Sequence, residues 1–213
     1  MPKEWKGFKG MARIFIVMGK SATGKDTIYK SLLESEGLKL RTAVMYTTRP
    51  IRNSEVDGVE YYFVDEAALL ELQKQNKIIE HRSYQTIHGA WHYFTVNDGQ
   101  INLDEADYLM IGTLETYIQI REYFGRDKVV PIYIEVEDGA RLMRALKREQ
   151  KQEQPKYAEM CRRYLADEED FSEEHLQKGG IEKRYHNNDI NICLYEIEHD
   201  IKNYAVNEQP YVL

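Results

Sequence analysis

The sequence predicts an α/β fold with a parallel core sheet flanked by helices, a small inserted α+β lobe and a separate helical segment. Apolar, β-branched runs recur at residues 13–18, 108–111 and 129–136, and the first two lead into stretches with helical spacing. Such runs, apolar without alternation, suit strands buried on both faces, and strands alternating with helices imply right-handed crossovers. Between about 49 and 97 the composition shifts to arginine, glycine and tyrosine, which marks the insertion.

Residues 13–18 end at a glycine and read as a central strand, followed by a helix over 26–36 with Ile28, Leu32 and Leu33 on one face and Gly37 as its stop. A second strand is expected over 42–48. Within the insertion, Asp65 caps a helix over 66–76, with Leu69 and Leu72 inward and strands near 78–82 and 92–96. The parallel pattern resumes at 108–111, with a helix over 114–123 and a strand over 129–136. Helices over 139–151 and 156–170 flank a polar linker ending at Pro155, and a last helix runs over 190–204.

The chain's 213 residues suit one domain, and 42% hydrophobic with 31% charged residues is an ordinary globular balance. The expected layout is a core over about 12–48, 98–138 and 171–213, a lobe over about 49–97 and a lid over about 139–170. A net charge of −7 argues against a protein that coats nucleic acid. Cys161 and Cys193 are too few for a disulfide framework and lack metal-ligand spacing. With no apolar run of signal-peptide or membrane-span type, the expectation is a cytoplasmic protein without a membrane partner. Oligomeric state is not legible.

Gly19-Lys20-Ser21-Ala22-Thr23-Gly24-Lys25 has the G-x-x-x-x-G-K form between a buried strand and a helix. Glycines let backbone N–H groups approach phosphate oxygens, the helix N-terminus adds partial positive charge, and Lys25 reaches the β- and γ-phosphates. The next residue, usually Ser or Thr, is Asp26, followed by Thr27. Asp26 suits either of two roles, a hard-oxygen ligand for Mg²⁺ or a complement to the helix dipole. Residues 19–27 are thus the ATP-binding candidates, with Asp26 and Thr27 as the metal candidates.

Tyr46-Thr47-Thr48-Arg49-Pro50, Arg52, and Glu55-Val56-Asp57-Gly58-Val59-Glu60-Tyr61-Tyr62-Phe63-Val64 resemble the guanylate kinase family, from about residue 13 to 204 when taken with the phosphate loop. The resemblance implies a P-loop kinase fold with a nucleotide core, a monophosphate-binding lobe and a mobile lid. It implies transfer of the γ-phosphate of ATP to a nucleoside monophosphate, GMP or dGMP first, with Mg²⁺ as cofactor. By position, Arg49, Arg52 and Tyr61 match the holders of the acceptor phosphate, and Glu80 matches the acid that reads guanine. Independently of any resemblance, two arginines and a phenol suit a phosphate dianion, while Glu80 alone could equally be an exposed strand carboxylate.

In the second half, Arg144 and Arg148 match lid arginines over ATP, Arg163 matches a further phosphate contact, and Asn187 in Asn187-Asn188-Asp189 matches an element beside adenine. Lys25, Arg49, Arg144, Arg148 and Arg163 are the catalytic candidates. A solvated basic helix face is the plainer reading of the lid arginines.

Departures from the family pattern are also visible. Met45 stands where a small hydroxyl residue is usual, and Gly112-Thr113 follow the 108–111 strand where an acid is expected, so Asp26 and Thr113 could have exchanged roles. The segment after Glu80 is lengthened, and Tyr84, His88, Trp91 and His92 either line a remodelled pocket or pack. Two rival readings follow from these departures. One is a catalytically silent module that binds a protein or phosphopeptide; the other is a P-loop kinase with another phosphorylated acceptor.

Overall fold

A computed structural model describes residues 12–53, 55–86 and 89–206. Its core sheet has the order β6-β1-β7-β8. The central strand β1 (Ile14–Met18) pairs in parallel with β6 (Tyr108–Ile111) and β7 (Val129–Glu135), and β7 pairs in parallel with β8 (Arg184–His186). Every residue of β1 is buried, as an apolar run without alternation requires.

The two faces of β1 build two cores. Ile14, Ile16 and Met18 pack with Leu114, Tyr117 and Ile120 of α3 (Leu114–Phe124). Phe15 and Val17 pack with Ile28 and Leu32 of α1 (Lys25–Glu34) and with Ile197 and Ile201 of α7 (Ile190–Val206). Helices therefore cover both faces. This leaves the carboxyl ends of the parallel strands as the open edge, where α/β sheets bind ligands. The loops after β1, β6 and β7 all emerge there.

A second sheet, of order β3-β2-β5-β4, forms the inserted lobe. It contains β2 (Tyr46–Thr47), β3 (Tyr62–Phe63) and the hairpin of β4 (Ile78–Thr86) and β5 (Gly89–Val96). The lobe helix α2 (Glu66–Lys74) is capped by the Asp65 carboxylate, which accepts from the Ala68 amide at 2.8 Å, and it packs Leu69 against Phe94 and Val96. α4 (Asp138–Gln150) and α5 (Tyr157–Asp170) occupy the segment that the sequence reading assigns to a lid, followed by α6 (Glu173–Gly179).

The strand expected over 42–48 is a correction. Arg41 makes one parallel bridge to Tyr108, and only Tyr46–Thr47 is extended ladder, paired in the lobe rather than the core. The chain leaves one sheet for the other in this stretch, and alternation alone cannot tell which sheet a strand joins. α6, β3 and β8 are additions to the sequence reading. His88 lies outside the described residues. No helix of the described residues is long and apolar enough to cross a membrane.

Candidate nucleotide-binding cleft

The loop between β1 and α1 is fixed by close contacts at its glycines. At Gly19 a Cβ would lie 2.5 Å from the Ile134 carbonyl oxygen. Gly24 has φ 86°, the left-handed region, and a Cβ there would lie 2.5 Å from Asn187 Nδ2. That amide has a bracing role: Asn187 Nδ2 donates to the Thr23 carbonyl at 2.7 Å, and the Thr23 hydroxyl donates to the Lys20 carbonyl at 2.9 Å. Arg144 Nη2 donates to the Asn187 carbonyl at 2.9 Å, so a lid residue supports the same brace. Asn187 is buried, and its side chain shapes the loop instead of facing a ligand. Its neighbour Asn188 lines a cavity of about 410 Å³ with Lys20, Thr23, Tyr133 and His186.

Lid carboxylates meet the loop. The Ser21 amide donates to Asp167 at 2.7 Å and Lys20 Nζ to Glu168 at 2.7 Å. Both carboxylates also pair with Arg141, which is fully buried, stacked over the Tyr164 ring at 4.0 Å and joined to Asp138 at 3.1 Å. Arg141, left without a role by the sequence, is the hub between lid and loop. Its i, i+3 spacing from Asp138 was the visible sign. Beside this network a cavity of about 360 Å³ is lined by Ser21, Arg52, Arg148 and Arg163, among others.

A larger cleft of about 750 Å³ runs between core, lobe and lid. Lys25 and Asp26 stand on its core side with Gly112 and Thr113, Arg52 and Tyr61 on its lobe side, and Arg162 and Arg163 on its lid side. Lys25 Nζ lies 3.9 Å from the Asp26 carboxylate. Thr27 is exposed on α1 and is not a wall of this cleft. Gly112 explains the absent acid after β6, because a Cβ there would come within 2.8 Å of Thr116, leaving no room for a side chain. Thr113 is engaged as the cap of α3, sharing its hydroxyl with Thr116 at 3.2 Å.

Two acceptor candidates are not on these walls. Arg49 is buried, with Nη1 and Nη2 on the Glu55 carboxylate at 2.7 and 2.5 Å and its guanidinium over Tyr61 and Phe63 at 5.2 and 5.3 Å. The pair holds the Glu55 carboxyl down at about 2, chiefly through the Arg49 hydrogen bonds. Arg49 thereby supports the loop and Tyr61, while Arg52 is the lobe arginine that faces the cleft. Burial raises the Tyr61 pKa, keeping the phenol a neutral donor.

Glu80 is the other. It is 1% exposed and accepts from Arg82 Nε at 3.1 Å and from the Thr95 hydroxyl at 3.0 Å. Burial raises its pKa against the pull of Arg82. The wall position belongs to Arg82, with Met45, Tyr84, Trp91 and Tyr93. The period-two spacing of Glu80 and Arg82 was the available signal that they share a strand face. His92 points to the opposite face and meets His81 at 2.8 Å.

On the lid, Glu159 accepts from Arg162 and Arg163, each at 2.8 Å, and these bonds hold its carboxyl at about 2. No group of His, Cys, Asp and Glu among the described residues forms a preassembled metal centre.

The guanylate kinase family model matches residues 11–189. The chain belongs to the guanylate kinase family. Curated relatives include guanylate kinases from Mycoplasma pneumoniae, 30% identical over 141 residues (64% of this chain, 56% of the relative), and Syntrophomonas wolfei subsp. wolfei, 31% identical over 121 residues (56% and 60%). A third, from Thermus thermophilus, is 39% identical over 79 residues (37% and 34%). The matched stretches thus span about a third to three fifths of these guanylate kinases. The crystal structure of guanylate kinase from Anaplasma phagocytophilum superposes with a TM-score of 0.67 over 94% of this chain and 89% of that one, at 20% identity, which establishes the P-loop kinase fold.

Proposed function

We propose that the protein transfers the γ-phosphate of ATP to a guanine nucleoside monophosphate, GMP or dGMP. One observation carries the reading: Lys25 and Asp26 of the phosphate loop, Arg52 and Tyr61 of the lobe, and Arg163 of the lid all wall the same cleft. A cleft cationic on three sides suits two phosphorylated molecules brought end to end. Phosphoryl transfer needs in-line positioning and charge neutralisation more than covalent chemistry, and these side chains supply both.

On this reading the loop amides and Lys25 hold the triphosphate. Arg52 and Tyr61 hold the acceptor phosphate, with Arg49 holding Tyr61 and Glu55 in place. Arg148 and Arg163 neutralise the transferring group from the lid, and Arg163 leaves Glu159 to do so. Closure of lobe and lid excludes the water that would otherwise hydrolyse ATP.

Asp26 fits a Mg²⁺ ligand, since its carboxylate is 73% exposed at the cleft beside Lys25, whereas Thr27 lies off the wall. A single carboxylate completed by substrate phosphates and water is a usual Mg²⁺ environment. When bound, Mg²⁺ would neutralise charge on the phosphates. The partners on this reading are ATP and the monophosphate, in the cytoplasm.

The silent-module reading is opposed by Lys25 opening onto the same cleft as the acceptor arginine. A panel of GMP, dGMP, AMP, CMP and UMP with ATP and Mg²⁺ tests the proposal through kcat/KM. Turnover highest with GMP or dGMP is expected. Turnover confined to a non-guanine acceptor, or none with any, would overturn it.

A further inference from the structure

We propose that Arg82 reads the guanine base, donating its guanidinium N–H groups to the O6 and N7 edge, with Glu80 as its positioning residue. The inference rests on the function proposed above and deepens it.

In β4, Glu80, Arg82 and Tyr84 project to one face, opposite Thr95, Tyr93 and Trp91 of β5. The row runs from the closed interior to the cleft. Glu80 is at the closed end, with each carboxylate oxygen bonded, one to Thr95 and one to Arg82 Nε. At 1% exposure it offers a ligand no surface.

Arg82 is the next residue outward on that face and is a wall of the cleft. Its Nε is fixed by Glu80, which sets the plane of the guanidinium. Its Nη2 lies 3.9 Å from Met45 Sδ, so the cation occupies the neighbourhood where the family pattern has a small hydroxyl side chain. Burial lowers the pKa of Arg82, but Glu80 and Tyr84 together raise it by more, and the group stays a cation throughout the physiological range.

The chemistry of this wall is that of a donor. A carboxylate reads guanine through the N1 proton and the 2-amine. A guanidinium cannot do that, but it meets O6 and N7 bidentately, and adenine presents an amine in place of O6. Discrimination between guanine and adenine is therefore kept while the edge that is read changes. Tyr61, Tyr84, Trp91 and Tyr93 surround Arg82 on the same cleft, with Tyr93 edge-on to both Tyr61 and Tyr84 at 5.7 Å, and aromatic faces of this kind stack bases without regard to which edge is read.

IMP and 7-deaza-dGMP separate the two edges without any variant. IMP keeps O6 and N7 and lacks the 2-amine; 7-deaza-dGMP keeps the 2-amine and lacks N7. The expected result is IMP within about fivefold of GMP in kcat/KM, and 7-deaza-dGMP below dGMP by about tenfold or more, the worth of one base-edge contact. GMP above IMP by about a hundredfold, with 7-deaza-dGMP equal to dGMP, would overturn the inference and leave the kinase function standing. Absence of turnover with every purine monophosphate would overturn both.

The variants Arg82→Lys and Glu80→Gln, checked for native melting, extend the test. Arg82→Lys is expected to lower the GMP-over-AMP ratio by about 10- to 100-fold, whereas Glu80→Gln lowers GMP and IMP together and leaves their ratio where it was. A GMP-to-IMP ratio that collapses in Glu80→Gln would return the reading role to the carboxylate.

Discussion

At Gly24 the fold and the function meet in one missing methyl group. A Cβ there would collide with the Asn187 amide at 2.5 Å, and that amide is what holds the Thr23 carbonyl. Gly24→Ala is expected to destabilise the protein by about 2 kcal/mol or more, the combined cost of left-handed backbone strain and a lost buried hydrogen bond. It should weaken ATP binding as well. Thermal melting and nucleotide titration check both, and a variant with unchanged affinity would separate the brace from the loop's function. Glu55 supplies a pH prediction. Its carboxyl ordinarily titrates at 4.5 and is held at about 2 by Arg49 when folded. A depressed carboxylate stabilises the fold fully above the unfolded value and loses that contribution as pH falls through the folded one. Melting of Glu55→Gln should therefore vary less with pH between about 4.5 and 2 than melting of the native chain. At this scale the strand–loop–helix form of residues 19–25 was legible, because glycine spacing between a buried strand and a helix is a local pattern, whereas Thr27 lies off the cleft wall. Asn187, Arg49 and Glu80 were legible only as positions in the family pattern, and their side-chain directions were not, since a buried partner such as Glu55 or Arg82 is known only from the folded chain.

The lid helices and the phosphate loop are coupled through carboxylates. Asp167 holds the Ser21 amide and Glu168 holds Lys20 Nζ, both at 2.7 Å, while Arg141 clamps the two acids from behind. On the proposed function, a triphosphate entering the loop competes with these contacts. Asp167→Ala is expected to tighten ATP binding by roughly fivefold, equivalent to about 1 kcal/mol for one charge-assisted hydrogen bond released in advance. Isothermal titration with an unreactive ATP analogue measures it; weaker binding would show that Asp167 organises the loop instead of occupying it. Element positions were legible where an unbroken apolar run or a helical apolar face marks them: β1, β6, β7, α1 and α3 fell close to their expected bounds. α6 and β8 were not, since Glu173–Gly179 is too short to show a period and Arg184–His186 buries only Tyr185. Their existence depends on neighbours distant in sequence. The same is true of residues 42–48, whose path from the core sheet to the lobe sheet is decided by pairing with Tyr62 and Phe94.

Across the whole molecule, an acidic chain of net charge −7 gathers Lys25, Arg52, Arg148 and Arg163 around two cavities that share Arg52 and Arg163 as walls. Low-dielectric walls strengthen such a field, so overall charge is a poor guide to the ligand and local charge a good one. Core, lobe and lid segments each contribute a cation to the larger cleft: Lys25, Arg52 and Arg163. On the proposed function, those cations serve one transfer between two bound molecules. Quantifying ADP and GDP together, by chromatography of a reaction of ATP, Mg²⁺ and GMP, tests this most directly. One GDP for each ADP is the predicted result; ADP without GDP, or neither product, would contradict it.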